Sequence, residues 1–142
     1  QLRGLNMNRH LDNMIPSFYV AIDGDNIGRK IEYFIVTDQL QKLTSFSKSY
    51  HNAMQWLERT LRFKLNAEIV FVGGDSLLAS FSENQILSIK DLESLKIEFT
   101  RMSETTLSIG IGETLRHAYF ALKLAKAKGR DCIERFEDVS ND

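Results

Sequence analysis

Cysteine and proline are nearly missing from this chain, with one of each in 142 residues. The lone Cys132 excludes an internal disulfide, and no Cys/His cluster of the zinc-binding kind is present. One proline and eight glycines are too few for a disordered or low-complexity chain. No uninterrupted apolar run has the length of a membrane span. No signal-peptide pattern opens the chain. The expected location is therefore cytoplasmic, with no membrane partner. A formal net charge of -1 argues against a broad electrostatic grip on long nucleic acid. A small phosphorylated ligand stays compatible, since it needs only a local basic patch. No internal repeat is visible.

What is present suits one globular domain. The chain is 43% hydrophobic and 26% charged, and its length fits a single core. Residues 1–16 are polar and lack a convincing period. They read as a lead-in, an added remnant or a processed end, with Met14 a candidate start. The expected domain is 17–137, followed by a tail at 138–142.

The most informative stretch is AEIVFVGGDSLLASF, Ala67 to Phe81. Two apolar runs flank Gly73-Gly74-Asp75-Ser76, a β-hairpin signal. Ala67 to Val72 reads as a buried strand and Leu77 to Phe81 as its return. A core hairpin needs no acid at its bend, yet Asp75 is there. Paired glycines let a ligand approach the backbone closely. The bland alternative is an ordinary turn aspartate.

Ser17 to Ile22 is an aromatic and β-branched strand that runs into Asp23-Gly24-Asp25-Asn26. Carboxylates at the end of a core strand are costly to bury unpaired, and a cleft holding a cation explains them. The simpler reading is a turn in which Asp25 or Asn26 caps the next helix. The amides of Asn26, Ile27 and Gly28 would then face an anion. Ile27 to Val36 reads as a short helix. Thr37 and Asp38 are cap candidates for a long one, with a core stripe of Leu40, Leu43, Phe46, Tyr50, Ala53, Met54, Leu57 and Leu61. Ser88 and Asp91 form a capping box for another helix. In TTLSIGIG, Ser108, Gly110 and Gly112 share one strand face, a flat wall for a helix or ligand. Thr114 caps a last helix stopped at Gly129. Lys123, Lys126 and Arg130 share a face at its end, where the helix dipole alone would suit them. A short strand, Cys132 to Phe136, closes the domain.

The expected fold is α+β, a palm-like or ferredoxin-like domain with a mostly antiparallel sheet covered by helices. Asp23 and Asp75, about fifty residues apart, would meet at adjacent strand ends. Oxygen ligands with retained waters suit Mg²⁺ or Mn²⁺. Two such ions clamp an attacking hydroxyl and a leaving pyrophosphate in line, so no catalytic Ser or Cys is needed.

DGDNIG at 23–28, FVGGDSLLA at 71–79, SIGIG at 108–112 and ALKLAKAKGRD at 121–131 resemble the minimal CRISPR polymerase (mCpol) family. That family is related to the GGDEF nucleotidyl cyclases and to the palm of the large type III CRISPR subunit. The four motifs stand in family order across nearly all of Ser17 to Glu137. The resemblance implies an enzyme that joins nucleoside triphosphates, here ATP, into a cyclic nucleotide signal of anti-phage defence. It implies Asp23 and Asp75 as catalytic metal carboxylates, with the Gly24 carbonyl as a further ligand. It implies nucleotide contacts from Asp25, Asn26, Ile27, Gly28, Gly73, Gly74 and Ser76, and phosphate contacts from Lys126 and Arg130. Ser76 stands where many cyclases carry a second acid, and a hydroxyl is a weaker ligand. Asp25 is the candidate substitute, and one or two ions both stay open. Ile31 and Glu32 do not match the residues that many GGDEF enzymes use for guanine. A cyclic dinucleotide needs two bonds, so a homodimer with facing palms is expected. The alternatives are a catalytically impaired nucleotide-sensing palm, a GTP cyclohydrolase-like palm enzyme, and a purely structural domain.

Overall fold

The computed structural model describes residues 16–82 and 87–137. The lead-in and the tail expected at the two ends, including the candidate start Met14, lie outside the described residues, apart from Pro16. Strand β1 spans Pro16–Gly24, helix α1 Ile27–Val36 and helix α2 Leu40–Arg59. A π-helical turn, Thr60–Lys64, extends α2. Strands β2 (Glu68–Gly73) and β3 (Ser76–Ser82) form the hairpin. Helix α3 (Ile89–Ser103), strand β4 (Leu107–Gly112), helix α4 (Leu115–Ala127) and strand β5 (Ile133–Arg135) complete the order.

The five strands lie in the order β2-β3-β1-β4-β5. Every pairing is antiparallel except β4 with β5, which the α4 crossover makes parallel. The α+β fold with a mostly antiparallel sheet is therefore the one the sequence predicts. Alternation along β1 sends Val20 and Ile22 to one face. There they join Leu77, Ala79, Phe81 and Ile109 against Leu57 of α2 and Leu92 and Phe99 of α3. Ala21 faces the other way, onto Ala118 and Leu122 of α4.

The glycines of β4 explain how close α4 sits. A Cβ on Gly110 would lie 2.2 Å from the Leu122 amide nitrogen and 2.4 Å from the Ala118 carbonyl oxygen. One on Gly112 would lie 2.3 Å from the Ala118 nitrogen. The flat wall read from SIGIG thus receives a helix backbone, and this fixes α4 over the end of β1.

Several local expectations hold. Ser88 accepts from the Asp91 amide and Asp91 reciprocates, completing the capping box. Thr114 accepts from the His117 amide. Others are corrected. Gln39, not Thr37 or Asp38, occupies the α2 cap position and makes no side-chain cap. Thr37 instead closes α1 by donating to the Tyr33 carbonyl. Leu40 heads the apolar stripe in sequence but is 73% exposed. Strand β2 exists but is not buried, because the strand order puts it at the sheet edge. Val70, Phe71 and Val72 are accordingly exposed, and a bulge interrupts the pairing between Ile69 and Phe71.

Gly110→Ala is expected to push α4 off the sheet and to lower unfolding free energy by about 3 kcal/mol. Urea denaturation measures it, and a loss near zero would contradict the close contact.

Candidate active site

Asp23 stands one residue before the end of β1, between β3 and β4. Its Cα partners are Ser76 on one side and Ser108 on the other. Asp23 Oδ1 accepts a 2.8 Å hydrogen bond from Ser76 Oγ. Its Oδ2 is ion-paired with Lys126 Nζ from α4. Both side chains are partly buried, Asp23 the more so. The next residue, Gly24, donates its N–H to the Asp75 carbonyl at 2.8 Å. The hairpin tip is therefore tied to the end of β1, and the two acids lie on neighbouring backbone. Asp75 itself is exposed.

The two hairpin glycines differ. Gly74 adopts the left-handed φ of 57° and a Cβ there would meet nothing within 4 Å. Gly73 is covered by the ring of Phe71, two residues before it, for a Cβ would lie 2.7 Å from Cζ of Phe71. Only Gly74 presents the bare backbone that the sequence reading gave to both.

At the start of α1, Asn26 sits at the cap position with φ 57° and makes no side-chain cap. The first turn, including Ile27 and Gly28, is thus left uncapped by the expected Asp25 or Asn26 side chain. Ile27 is buried and Gly28 exposed.

Asp25 has a different task. It is 6% exposed, and each carboxylate oxygen already has a donor. Oδ1 accepts from Ser108 Oγ at 2.6 Å. Oδ2 accepts from Thr106 Oγ1 at 2.6 Å and from the Asp131 amide at 3.0 Å. Asp25 was expected as a substitute metal acid or a nucleotide contact, and here its carboxylate is turned inward onto these three donors. Asp25 anchors the loop after α4 instead. In that loop Arg130 and Asp131 both have left-handed backbone, φ 66° and 51°. The buried Lys96 holds the same loop by donating to the Asp131 carboxylate at 2.7 Å and to its carbonyl at 3.0 Å. Arg130 is exposed and, among the described residues, makes no side-chain hydrogen bond or ion pair.

Tyr50 of α2 was legible only as one member of the apolar stripe. Its hydroxyl lies against Gly24, 2.9 Å from where a Cβ would stand. Burial first, then the charges of Asp75 and Asp23, push the phenol pKa well above its usual value. The signal in the sequence was a tyrosine inside a core stripe, whose O–H needs a partner.

Among the described residues, no group of three or more His, Cys, Asp or Glu side chains forms a ready-made metal cage. An all-protein cage is not what Mg²⁺ requires. One or two carboxylates completed by substrate phosphates and water are typical. Asp23, Asp75 and the Gly24 carbonyl are oxygen donors of that kind. Lys126 already puts a positive charge on Asp23, where a cation would sit. Two clefts of about 470 and 520 Å³ open elsewhere, around Lys30, Phe34 and Glu104. Neither is lined by Asp23, Asp75 or Lys126.

The architecture is that of the GGDEF domains. The GGDEF domain of DgcB from Caulobacter crescentus, solved in complex with c-di-GMP, superposes with a TM-score of 0.57 at 17% identity. That match covers 85% of this chain and 78% of the other. The GGDEF domain of PA2567 from Pseudomonas aeruginosa gives 0.57 at 13% identity, covering 99% and 96%. That of PA1120 from the same organism gives 0.53 at 18%, covering 97% and 89%. Identities this low establish the fold alone. Among functionally curated proteins none matches the chain. Residues 19–136 match the minimal CRISPR polymerase domain, mCpol, and the chain belongs to that family. Family and fold together support a nucleotide polymerase- or cyclase-like function, that of a nucleotidyltransferase. No described helix is long and apolar enough to cross a membrane.

Asp25→Ala would strand two hydroxyls and an amide in a largely buried setting. A stability loss of about 3 kcal/mol in urea is expected, larger than for any exposed carboxylate. Wild-type stability in this variant would show that the network carries no weight.

Proposed function

We propose that the protein joins nucleoside triphosphates, ATP in the first place, into a cyclic dinucleotide or small cyclic oligonucleotide used as a signal in anti-phage defence. The observation that carries this reading is the Asp23 carboxylate, ion-paired to Lys126 and bonded to Ser76 beside the Gly-Gly-Asp hairpin. ATP is preferred because the mCpol resemblance points to it, and Ile31 and Glu32 do not match the residues that many GGDEF enzymes use for guanine. The c-di-GMP of the DgcB structure remains a property of that protein. A triphosphate-consuming enzyme of this kind works in the cytoplasm.

Asp23, Asp75 and the Gly24 carbonyl hold Mg²⁺ or Mn²⁺ in this reading. When bound, the ion neutralises phosphate charge and acidifies the attacking hydroxyl. Lys126, paired with Asp23 at the end of β1, would be the cation nearest the triphosphate and would offset its charge. Arg130, held out by the Asp25 and Lys96 contacts on its neighbour, meets the outer phosphates. Gly74 leaves room for the nucleotide over its backbone, and the uncapped first turn of α1 offers amide donors. A ribose hydroxyl of one nucleotide forms a new P–O bond at the α-phosphorus of another. The bond to the β-phosphate oxygen breaks and pyrophosphate leaves. Catalysis is mainly positioning and charge neutralisation. Ser76, bonded to Asp23, orients that acid. A second bond closes the ring when two chains face each other, so the active species is a homodimer.

Incubation with each triphosphate and Mg²⁺, followed by mass analysis, is the test. ATP should give a cyclic adenylate and pyrophosphate. Tight ATP binding without pyrophosphate release would mark a sensor, and a ring-opened guanine product would mark a cyclohydrolase-like enzyme. Asp75→Asn should retain the fold and lose about 100-fold or more in turnover. Lys126→Ala should chiefly raise KM for the triphosphate, and an unchanged KM would remove the phosphate role.

A further inference from the structure

Tyr50 Oη is buried and, among the described residues, has no hydrogen-bond partner. Such orphans are rare and call for an explanation, because an unpaired buried hydroxyl costs about 1–3 kcal/mol. The ring is not loose. Phe99 meets it edge-on at 6.0 Å and Phe46 flanks it at 5.9 Å. Its hydroxyl is thus presented beneath Gly24, the residue whose N–H grips the Asp75 carbonyl. Of the two acids nearby, Asp23 is provided for, with Ser76 on one oxygen and Lys126 on the other. The Asp75 carboxylate has no side-chain partner among the described residues. A donor lacking an acceptor and an acid lacking a donor therefore flank the same glycine.

We infer that Tyr50 is a positioning residue whose phenolic O–H donates to the Asp75 carboxylate when that acid turns in to hold the divalent cation shared with Asp23. The inference rests on the metal reading given above. Groups that orient metal ligands from behind typically change metal affinity 10- to 100-fold when removed.

The test is Mn²⁺ binding by the full chain, read from the electron paramagnetic resonance of the free ion. It is carried out on wild type, Tyr50→Phe, Asp75→Asn and the double variant. Tyr50→Phe should bind Mn²⁺ about tenfold more weakly. Its melting midpoint without metal should equal or exceed that of wild type, since it deletes an unpaired group. The double variant should bind no more weakly than Asp75→Asn alone, because Tyr50 acts through Asp75. Wild-type affinity in Tyr50→Phe overturns the inference and leaves the metal reading standing. So does a tenfold loss that persists on top of Asp75→Asn. A midpoint several degrees lower in Tyr50→Phe makes the hydroxyl a structural group and also overturns it. Wild type that binds no Mn²⁺ brings down the metal reading and this inference together.

Discussion

A carboxylate at the end of a core strand has to be balanced, and the balancing of Asp23 organises much of this molecule. Its side chain is held by a hydroxyl from β3 and an ammonium from α4. For the hydroxyl to reach, Ser76 must stand opposite Asp23, which fixes the register of β1 against the hairpin. For the ammonium to reach, α4 must lie almost on the sheet, which Gly110 and Gly112 permit. A one-residue slip in β1 would turn Asp23 into the packed face occupied by Ile22. The apolar core and the polar site are thus two readings of one register.

A second charge network lies one strand over, and its logic differs. Asp25 is almost sealed from solvent and is satisfied by three donors within the protein. It holds Asp131, and Lys96 holds Asp131 from the opposite side of the chain order. Two consecutive non-glycine residues with left-handed backbone persist there because these contacts over-determine them. Asp23 and Asp25 are the same residue type two positions apart. Their surroundings give one a tunable cationic partner and the other a permanent cage.

The strands, the hairpin and the helix caps at Ser88 and Thr114 were legible because each rests on local chemistry. Alternation, turn glycines and side-chain oxygens act over a few residues. The pairing of Asp23 with the Gly-Gly-Asp-Ser turn was legible from the order of elements. What was hidden depends on neighbours remote in sequence. The apolar run of β2 carries no mark of its edge position, so Phe71 read as core. Asp25 could not be told from Asp23, because its donors come from β4 and the loop after α4. Tyr50 sat in a helical stripe whose period explained the ring and was silent about the hydroxyl. Thr37 and Asp38 read as caps of α2 because two helices meet within a few residues, and Thr37 closes the first of them instead.

The contact between α4 and β4 has a kinetic side. With backbone touching backbone at Gly110 and Gly112, the helix has no slack to slide or roll across the sheet. Lys126 is consequently mounted on a fixed post and can change partners only through its own torsions. Such rotations take picoseconds to nanoseconds, whereas rearranging a whole helix takes microseconds or more. Any movement of the ammonium next to Asp23 is therefore a swing of the side chain, with the polypeptide beneath it standing still.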